Sequence, residues 1–91
     1  PELLDGYIVS TSPVEAFELA EDLRDKGFKV EFDLANKKFT KQLEKASKVA
    51  KRALILGEDE IKAGAVAVKN LSTGEQVSFP RNQLPQVLAQ G

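Results

Sequence analysis

A short apolar run, a bracketed helix and a second short run open the chain, and this trio constrains the fold more than any other feature. Gly6-Tyr7-Ile8-Val9-Ser10 reads as a buried strand. Ser12-Pro13-Val14-Glu15 follows in the pattern of a capping box, in which the Ser12 hydroxyl accepts from the Glu15 amide and the Glu15 carboxylate bonds back. Pro13 sits at the first helical position, where its missing N–H costs nothing. Ala16, Leu19, Ala20 and Leu23 recur at helical spacing on one face, and Lys26-Gly27 closes the turn. Phe28, Val30 and Phe32 then alternate with Lys29 and Glu31, which predicts a strand over 28–32. Two strands joined by a helix pair in parallel through a right-handed crossover, so the sheet begins parallel.

The same reading carries down the chain. A turn or loop covers Asp33 to Asn36, and a second helix runs from about Lys37 or Lys38 to Ala50. Phe39, Leu43, Ala46 and Ala50 share a narrow arc of that helix, at about 100° per residue, and Lys37, Lys41, Lys45, Lys48 and Arg52 take the opposite side. Residues 53–56 form a third strand, Val66 and Val68 mark a fourth, and Val77 and Phe79 mark a fifth. Ser72-Thr73-Gly74 is the hairpin turn between the last two. Leu84, Val87 and Leu88 suggest a last helix with Pro85 in its first turn. The order β-α-β-α-β-β-β-α predicts a single α/β domain over residues 1–91. Its three layers (α/β/α) hold a mixed five-stranded sheet and three helices, with the first three strands parallel and the fourth antiparallel. On a sheet covered on both faces, Tyr7, Phe32 and Phe39 read as core rather than as stacking platforms.

Composition narrows the chemistry. With 91 residues, 42% hydrophobic and 30% charged, the chain supports one core of ordinary soluble character. It has neither cysteine nor histidine, which removes thiolate chemistry, disulfides, and the commonest general base and metal ligand. The opening PELLDGY has no signal-peptide pattern, and no apolar run approaches the roughly 20 residues that span a bilayer. No G-x-G-x-x-G or P-loop is present to cradle a phosphate. The net charge of −1 conceals a division: residues 37–52 hold six lysines and one arginine against Glu44, a net of +6, so the remaining 75 residues carry −7.

Three segments, AEDLRDKGFKVEFDL, KKFTKQLEKASK and LILGEDEIKAGAVAVKNLSTGEQV, in this order and spacing, resemble the C-terminal anticodon-binding domain of class IIa aminoacyl-tRNA synthetases. The resemblance covers about Gly6 to Leu88 and is greatest to the histidyl enzymes in their bacterial or organellar form. It implies a mixed five-stranded sheet between helices, docking on the anticodon stem-loop, and a GUG anticodon. It also implies a separate catalytic domain in the parent chain, with ATP and Mg bound there and no cofactor in these residues, in a cytoplasmic, homodimeric ligase. In the related threonyl enzymes, the acid of the Gly-x-x-Glu stretch and the cation ending the following Val-x-Val strand contact anticodon bases. The matching positions are Glu60 and Lys69. One departure is Ala50-Lys51, where family members often carry Gly-Ala before the third strand.

RNA loops are read at the edges of splayed bases. A carboxylate at Glu60, with Glu58 beside it, accepts from a base N–H, while Lys69 donates to a base carbonyl or a phosphate. The competing reading makes Glu58, Asp59 and Glu60 the start of a one-turn helix, where acids complement the positive helix end. Lys41, Lys45 and Lys48 are candidates for phosphate contact, against an ordinary solvated helix face. Lys41 and Gln42 are placed toward the anticodon loop, and Asn36 offers an amide edge to a base. Three rivals stand beside this reading. They are the same domain of a prolyl, threonyl or glycyl enzyme, a synthetase-like regulatory or dimerisation module that reads no tRNA, and a small-molecule-binding α/β domain.

Overall fold

The computed structural model describes residues 2–33 and 38–90. Its elements are β1 (Gly6–Ser10), α1 (Pro13–Asp25), β2 (Val30–Phe32), α2 (Phe39–Val49), β3 (Arg52–Leu56), α3 (Glu58–Ala63), β4 (Ala65–Asn70), β5 (Gln76–Pro80), a 3₁₀ turn (Arg81–Gln83) and α4 (Leu84–Ala89). The strands lie in one sheet in the order β2-β1-β3-β4-β5. β1 is parallel to both β2 and β3, with Tyr7 opposite Glu31 and Ala53. β4 runs antiparallel to β3, and β5 antiparallel to β4. The expected mixed sheet, three parallel strands followed by an antiparallel fourth, is the observed one.

Alternation along each strand feeds two cores. Ile8, Leu54, Leu56, Val66 and Val68 point toward α1 and α4, where Leu19, Leu23, Leu84 and Leu88 meet them. Tyr7, Val9, Ala53, Ile55 and Ala67 point the other way, with Ala46 and Ala50 packed among them and Phe39 and Leu43 against them. The core assignment of Tyr7 and Phe39 therefore holds. Phe32 is half-buried, and its ring meets Phe17 edge-on with centroids 6.4 Å apart.

The structure corrects four local expectations. First, the Ser12–Glu15 exchange runs one way: Ser12 Oγ accepts from Glu15 N at 3.3 Å, but Ser12 N donates to Ser10 Oγ at 3.0 Å, and the Glu15 carboxylate turns to Arg81. Second, β2 begins at Val30, not Phe28. The Phe28 amide is spent closing α1, donating to Leu23 O at 3.1 Å, and Gly27 supplies the φ of 90° that this closure needs. Third, the described residues form four α-helices rather than three, because the acid cluster forms α3 and Gly64 ends it at φ 66°. Fourth, the sheet is not covered throughout. α2 packs mainly on β1 and β3, the same core takes in Ala67 of β4, and Gln76, Ser78 and Pro80 of β5 stay exposed.

One polar contact locks the layers. Ser10 is the last residue of β1, and its backbone N–H donates to Gln42 Oε1 at 2.8 Å while Gln42 Nε2 donates back to Ser10 O at 3.0 Å. The Ser10 hydroxyl donates to Leu56 O at 2.7 Å, joining the end of β3 to the same point. Gln42 is 6% exposed, so its amide replaces water for a strand end that would otherwise be buried unpaired. Gln42→Met keeps the volume and strands both backbone groups. At about 1–3 kcal/mol for each unsatisfied group, a loss of about 2–4 kcal/mol is expected in urea unfolding. A loss below about 0.5 kcal/mol, the level of an inert surface change, would remove this contact from the frame.

Candidate nucleic-acid interface

The helix α2 places the basic residues. With Ala46 and Gln42 turned inward, 100° steps put Lys41 and Lys48 on the crest of the helix, away from the sheet. Lys38 and Lys45 lean toward β2, and Lys45 and Lys48 border a shallow groove shared with Glu2, Leu3, Leu4 and Glu31. The opposite flank, toward β4, carries Thr40, Leu43 and Ser47. Lys41, Lys45 and Lys48 are all exposed, and Lys41 touches Glu44 at 3.9 Å with both side chains mostly in solvent. Such a pair is worth at most about 1 kcal/mol and yields readily to a phosphate.

Arg52 departs from the stripe to which its spacing assigned it. It is the first residue of β3, opposite Asn70, and alternation sends it to the α1 side with Leu54. One of its guanidinium nitrogens is buried there without a hydrogen-bond partner among the described residues. On that side the exposed surface of α1 is acidic, with Glu18, Glu21, Asp22 and Asp25. The charge division seen along the sequence is thus a division between the two faces of the sheet. Among the described residues the acids on the α2 side are Glu44 on the helix itself and Glu2 and Glu31 near β2. The Tyr7 phenol is pushed above its ordinary value chiefly by burial, and further by the negative charges of Asp33 and Glu31.

Gln42 does not face outward with Lys41, as the sequence suggested; its amide is spent on Ser10. Asn36 lies outside the described residues. Glu58 and Asp59 are exposed in the first turn of α3, and Glu60 is half-buried. Both readings of the acid cluster meet at Glu60. Its Oε1 accepts from Gly57 N at 2.9 Å, capping the helix, while its Oε2 carries no hydrogen bond among the described residues. A Cβ at Gly57 would lie 2.9 Å from Oε1, so a side chain there would make the end of the Glu60 side chain shift.

The structure separates the proposed acceptor and donor. Glu60 and the start of α2 share the carboxyl end of β1 and β3, as the Ser10–Gln42 contact shows. Lys69 lies opposite Ala53, near the other end of β3. Four steps along β4 separate Lys69 from Ala65, about 13 Å at the usual strand rise. No ion pair joins Glu60 and Lys69 among the described residues. Lys41, Glu58 and Glu60 therefore form one group at the carboxyl end, Lys45 lies a turn away, and Lys48 and Lys69 lie toward the other end. Lys69 is half-exposed on the open side of the sheet, with Gln76 directly across in β5.

Residues 7–91 match the model of the family described as the anticodon binding domain. The chain belongs to that family. The domain is 44% identical to a histidine–tRNA ligase of Thermus thermophilus over 91 residues, which is 99% of this chain and 21% of the ligase. It is 43% identical to that of Archaeoglobus fulgidus over 75 residues, 81% of this chain and 18% of the ligase. The chain thus spans about a fifth of the length of these curated relatives. The crystal structure of apo Staphylococcus aureus histidyl-tRNA synthetase superposes with a TM-score of 0.86 at 28% identity, over 96% of this chain and 27% of that one. The RNA binding domain of threonyl-tRNA synthetase from Cryptosporidium parvum shares the fold at a TM-score of 0.83 and 20% identity, over 93% of this chain and 22% of that one.

The capping geometry of the domain makes a direct test. Glu60→Gln retains an oxygen for the Gly57 amide, so its unfolding free energy should stay within about 0.5 kcal/mol of the parent. Glu60→Ala removes the cap and should cost roughly 1 kcal/mol. Gly57→Ala makes only the end of the Glu60 side chain shift and should cost less than Glu60→Ala, and the two alanine changes combined should cost less than their sum because they touch one bond. Full additivity in urea melts would show that the contact contributes nothing.

Proposed function

We propose that the domain docks on the anticodon stem-loop of a tRNA, the histidine tRNA with a GUG anticodon, as the recognition part of a histidine–tRNA ligase. The observation that carries the reading is the match of almost the whole chain both to the anticodon-binding family and to one segment of histidine–tRNA ligases. The parent chain then supplies the catalytic domain, with ATP and Mg bound there, and acts as a homodimer in the cytoplasm. These 91 residues act by binding alone.

The geometry supports a division of labour. The crest of α2 offers exposed ammonium groups without a rigid partner, suited to backbone phosphates. Lys41 is best placed, since Lys45 and Lys48 share their groove with Glu2 and Glu31. At the carboxyl end, Glu60 Oε2 accepts from the ring N–H of guanine or uracil, with the helix cap holding the carboxylate in place. Glu58, exposed in the same turn of α3, is the second acceptor. Lys69 addresses a different part of the loop, given its place along β4.

Two sets of variants test this with stem-loops bearing GUG or altered triplets. Replacing Lys41, Lys45 and Lys48 together by Ala should weaken all stem-loops about equally and flatten the salt slope by roughly 0.7–0.9 for each phosphate that is no longer neutralised. Unchanged affinity and slope would return α2 to being a solvated face. Glu60→Gln, with its stability retained, should weaken the GUG loop roughly tenfold and narrow its advantage over altered triplets, in line with about 1–3 kcal/mol for a base-edge bond. Equal binding of GUG and altered triplets by the parent domain would overturn the anticodon assignment.

A further inference from the structure

The two edges of the sheet are finished differently. β2 is one edge and β5 the other. β2 is three residues long, and Arg24 lies against it, its Nε and Nη2 donating to Val30 O at 3.1 and 2.9 Å. The Asp5 amide bonds Lys29 O from the β1 side, and carbonyls alternate along a strand, so the Val30 carbonyl is one that faces outward. A charged side chain on a short edge guards it against pairing with another chain. β5 has no such guard. Gln76–Pro80 carries no charged side chain, and all of it but Phe79 is exposed. Asn70 N donates to Glu75 O at 2.8 Å, and Arg81 N to Gly64 O at 3.0 Å. These two bonds set the phase of the hairpin: residues 75, 77, 79 and 81 turn their backbone groups to β4, and Gln76, Ser78 and Pro80 turn theirs outward. On the α1 side of the same strand Val77 is 50% exposed and Phe79 half-buried, across from Val68 and Val66.

We infer that the free edge of β5 pairs with β5 of a second copy of the chain, antiparallel, about a twofold axis at Ser78. The inference is independent of the RNA reading above. Outward groups meet outward groups only when the axis passes through a residue rather than between two. With the axis at Ser78, this residue exchanges both N–H···O bonds with its copy, and each Gln76 N–H meets the Pro80 carbonyl of the other copy. Pro80 has no N–H to give, so the ladder ends there. The same register sets Val77 opposite Phe79 in both halves, and Glu75 opposite Arg81. Glu75 has no ion pair among the described residues. Arg81 reaches Glu15 and Asp22 at 3.7 and 3.2 Å, and its five donors leave room for a further carboxylate. An axis at Val77 would set Phe79 against Glu75, and one at Phe79 would set Val77 against Arg81. The Ser78 axis alone of the three matches apolar with apolar and acid with base, which is what makes a second copy the fitting partner. The contact is isologous and closes at two copies. Pairing of β5 with β2 of another copy would instead grow a filament, and Arg24 opposes it. The axis stands normal to the sheet, so the two sheets join into one and both α2 helices lie on the same side.

The test is self-association of the 91-residue chain without RNA. An edge contact of this size is at the weak end of specific interfaces, so sedimentation is followed from about 10 μM to about 1 mM, where the mass should rise from one copy to two and stop. Val77→Lys puts a charge into the apolar contact and should weaken the dimer roughly tenfold or more, with the melting curve of the dilute chain unchanged because the site is exposed. Glu75→Lys sets like charges opposite each other and should weaken it severalfold. The register is read by crosslinking, since the chain has no cysteine of its own. Residues opposed in a hydrogen-bonded pair have Cα atoms about 5.5 Å apart, within disulfide reach. Ser78→Cys should therefore oxidise to a covalent dimer severalfold faster than Gln76→Cys, which is exposed on the same face but lies opposite Pro80, or Val77→Cys, which lies opposite Phe79. A chain that stays monomeric at the highest concentration, with Ser78→Cys oxidising no faster than Gln76→Cys, would overturn the inference. So would a dimer that survives Val77→Lys unchanged, which would lie on another surface, or fastest crosslinking by Val77→Cys, which would move the axis.

Discussion

The paired hydrogen bonds between Gln42 and the backbone of Ser10 set the position of everything that bears on recognition. β1 is the central strand of the parallel half, and its chain continues through α1 to β2 on one side, while α2 returns the chain to β3 on the other. That reversal makes the carboxyl end of β1 a topological switch point, the place where open α/β sheets usually hold a ligand. Here the crevice is filled by protein groups: the Gln42 amide satisfies the Ser10 backbone, and the Ser10 hydroxyl donates to the Leu56 carbonyl. A small molecule has little to gain there, which weighs against the small-molecule-binding alternative. The same bonds fix the rotation of α2. With Gln42 and Ala46 held inward, Lys41 and Lys48 have only the crest to occupy, and Leu43 is left to the flank that meets β4.

Rotation of that one helix turns a mixed sequence of charges into two opposed faces. The lysines of α2 and the carboxylates of α1 are separated by the thickness of the sheet, so they do not neutralise each other at short range. At physiological ionic strength the screening length is about 8 Å, comparable with the roughly 10 Å between packed layers. An approaching polyanion on the α2 side therefore meets mainly lysines, and one on the α1 side meets mainly acids. The net charge of −1 is no guide to either encounter.

What could be read in the sequence was what repeats locally. The strand–helix–strand opening, the inward faces of α1 and α2, and the parallel-then-antiparallel sheet all follow from periodicity and from Gly, Pro and Ser at helix ends, and all of them match the structure. What could not be read depended on partners far along the chain. Gln42 is polar and adjoins the lysines, so its spacing could not show that a strand end 32 residues earlier needed its amide. The return bond from Glu15 gave way to competition, since Ser10 Oγ reached the Ser12 amide first and Arg81 claimed the carboxylate. β2 was shortened because closing α1 consumed the Phe28 amide. The exposed face of β5 did leave a trace: Gln76 and Ser78 alternate with Val77 and Phe79, so one face is polar. Seeing that face as uncovered required knowing where α2 stops.

Glu60 shows why a structural and a recognition role need not compete for one side chain. A carboxylate has two oxygens and about four acceptor sites, and the Gly57 amide uses one of them. The bond that starts α3 also immobilises the carboxylate before any base arrives, so less rotamer entropy remains to be given up on binding. Gly57 leaves room for the carboxylate, since a Cβ there would lie 2.9 Å from Oε1 and make it shift. The Gly-x-x-Glu spacing is then a single device in which the first residue leaves room, the fourth caps the turn, and one carboxylate oxygen stays unspent among the described residues. Lys69 lacks such a brace, and its position is set only by β4 and by the neighbour that register gives it, Gln76. The acceptor is held by its own helix and the donor by the sheet, so the two elements that carry them can be perturbed independently.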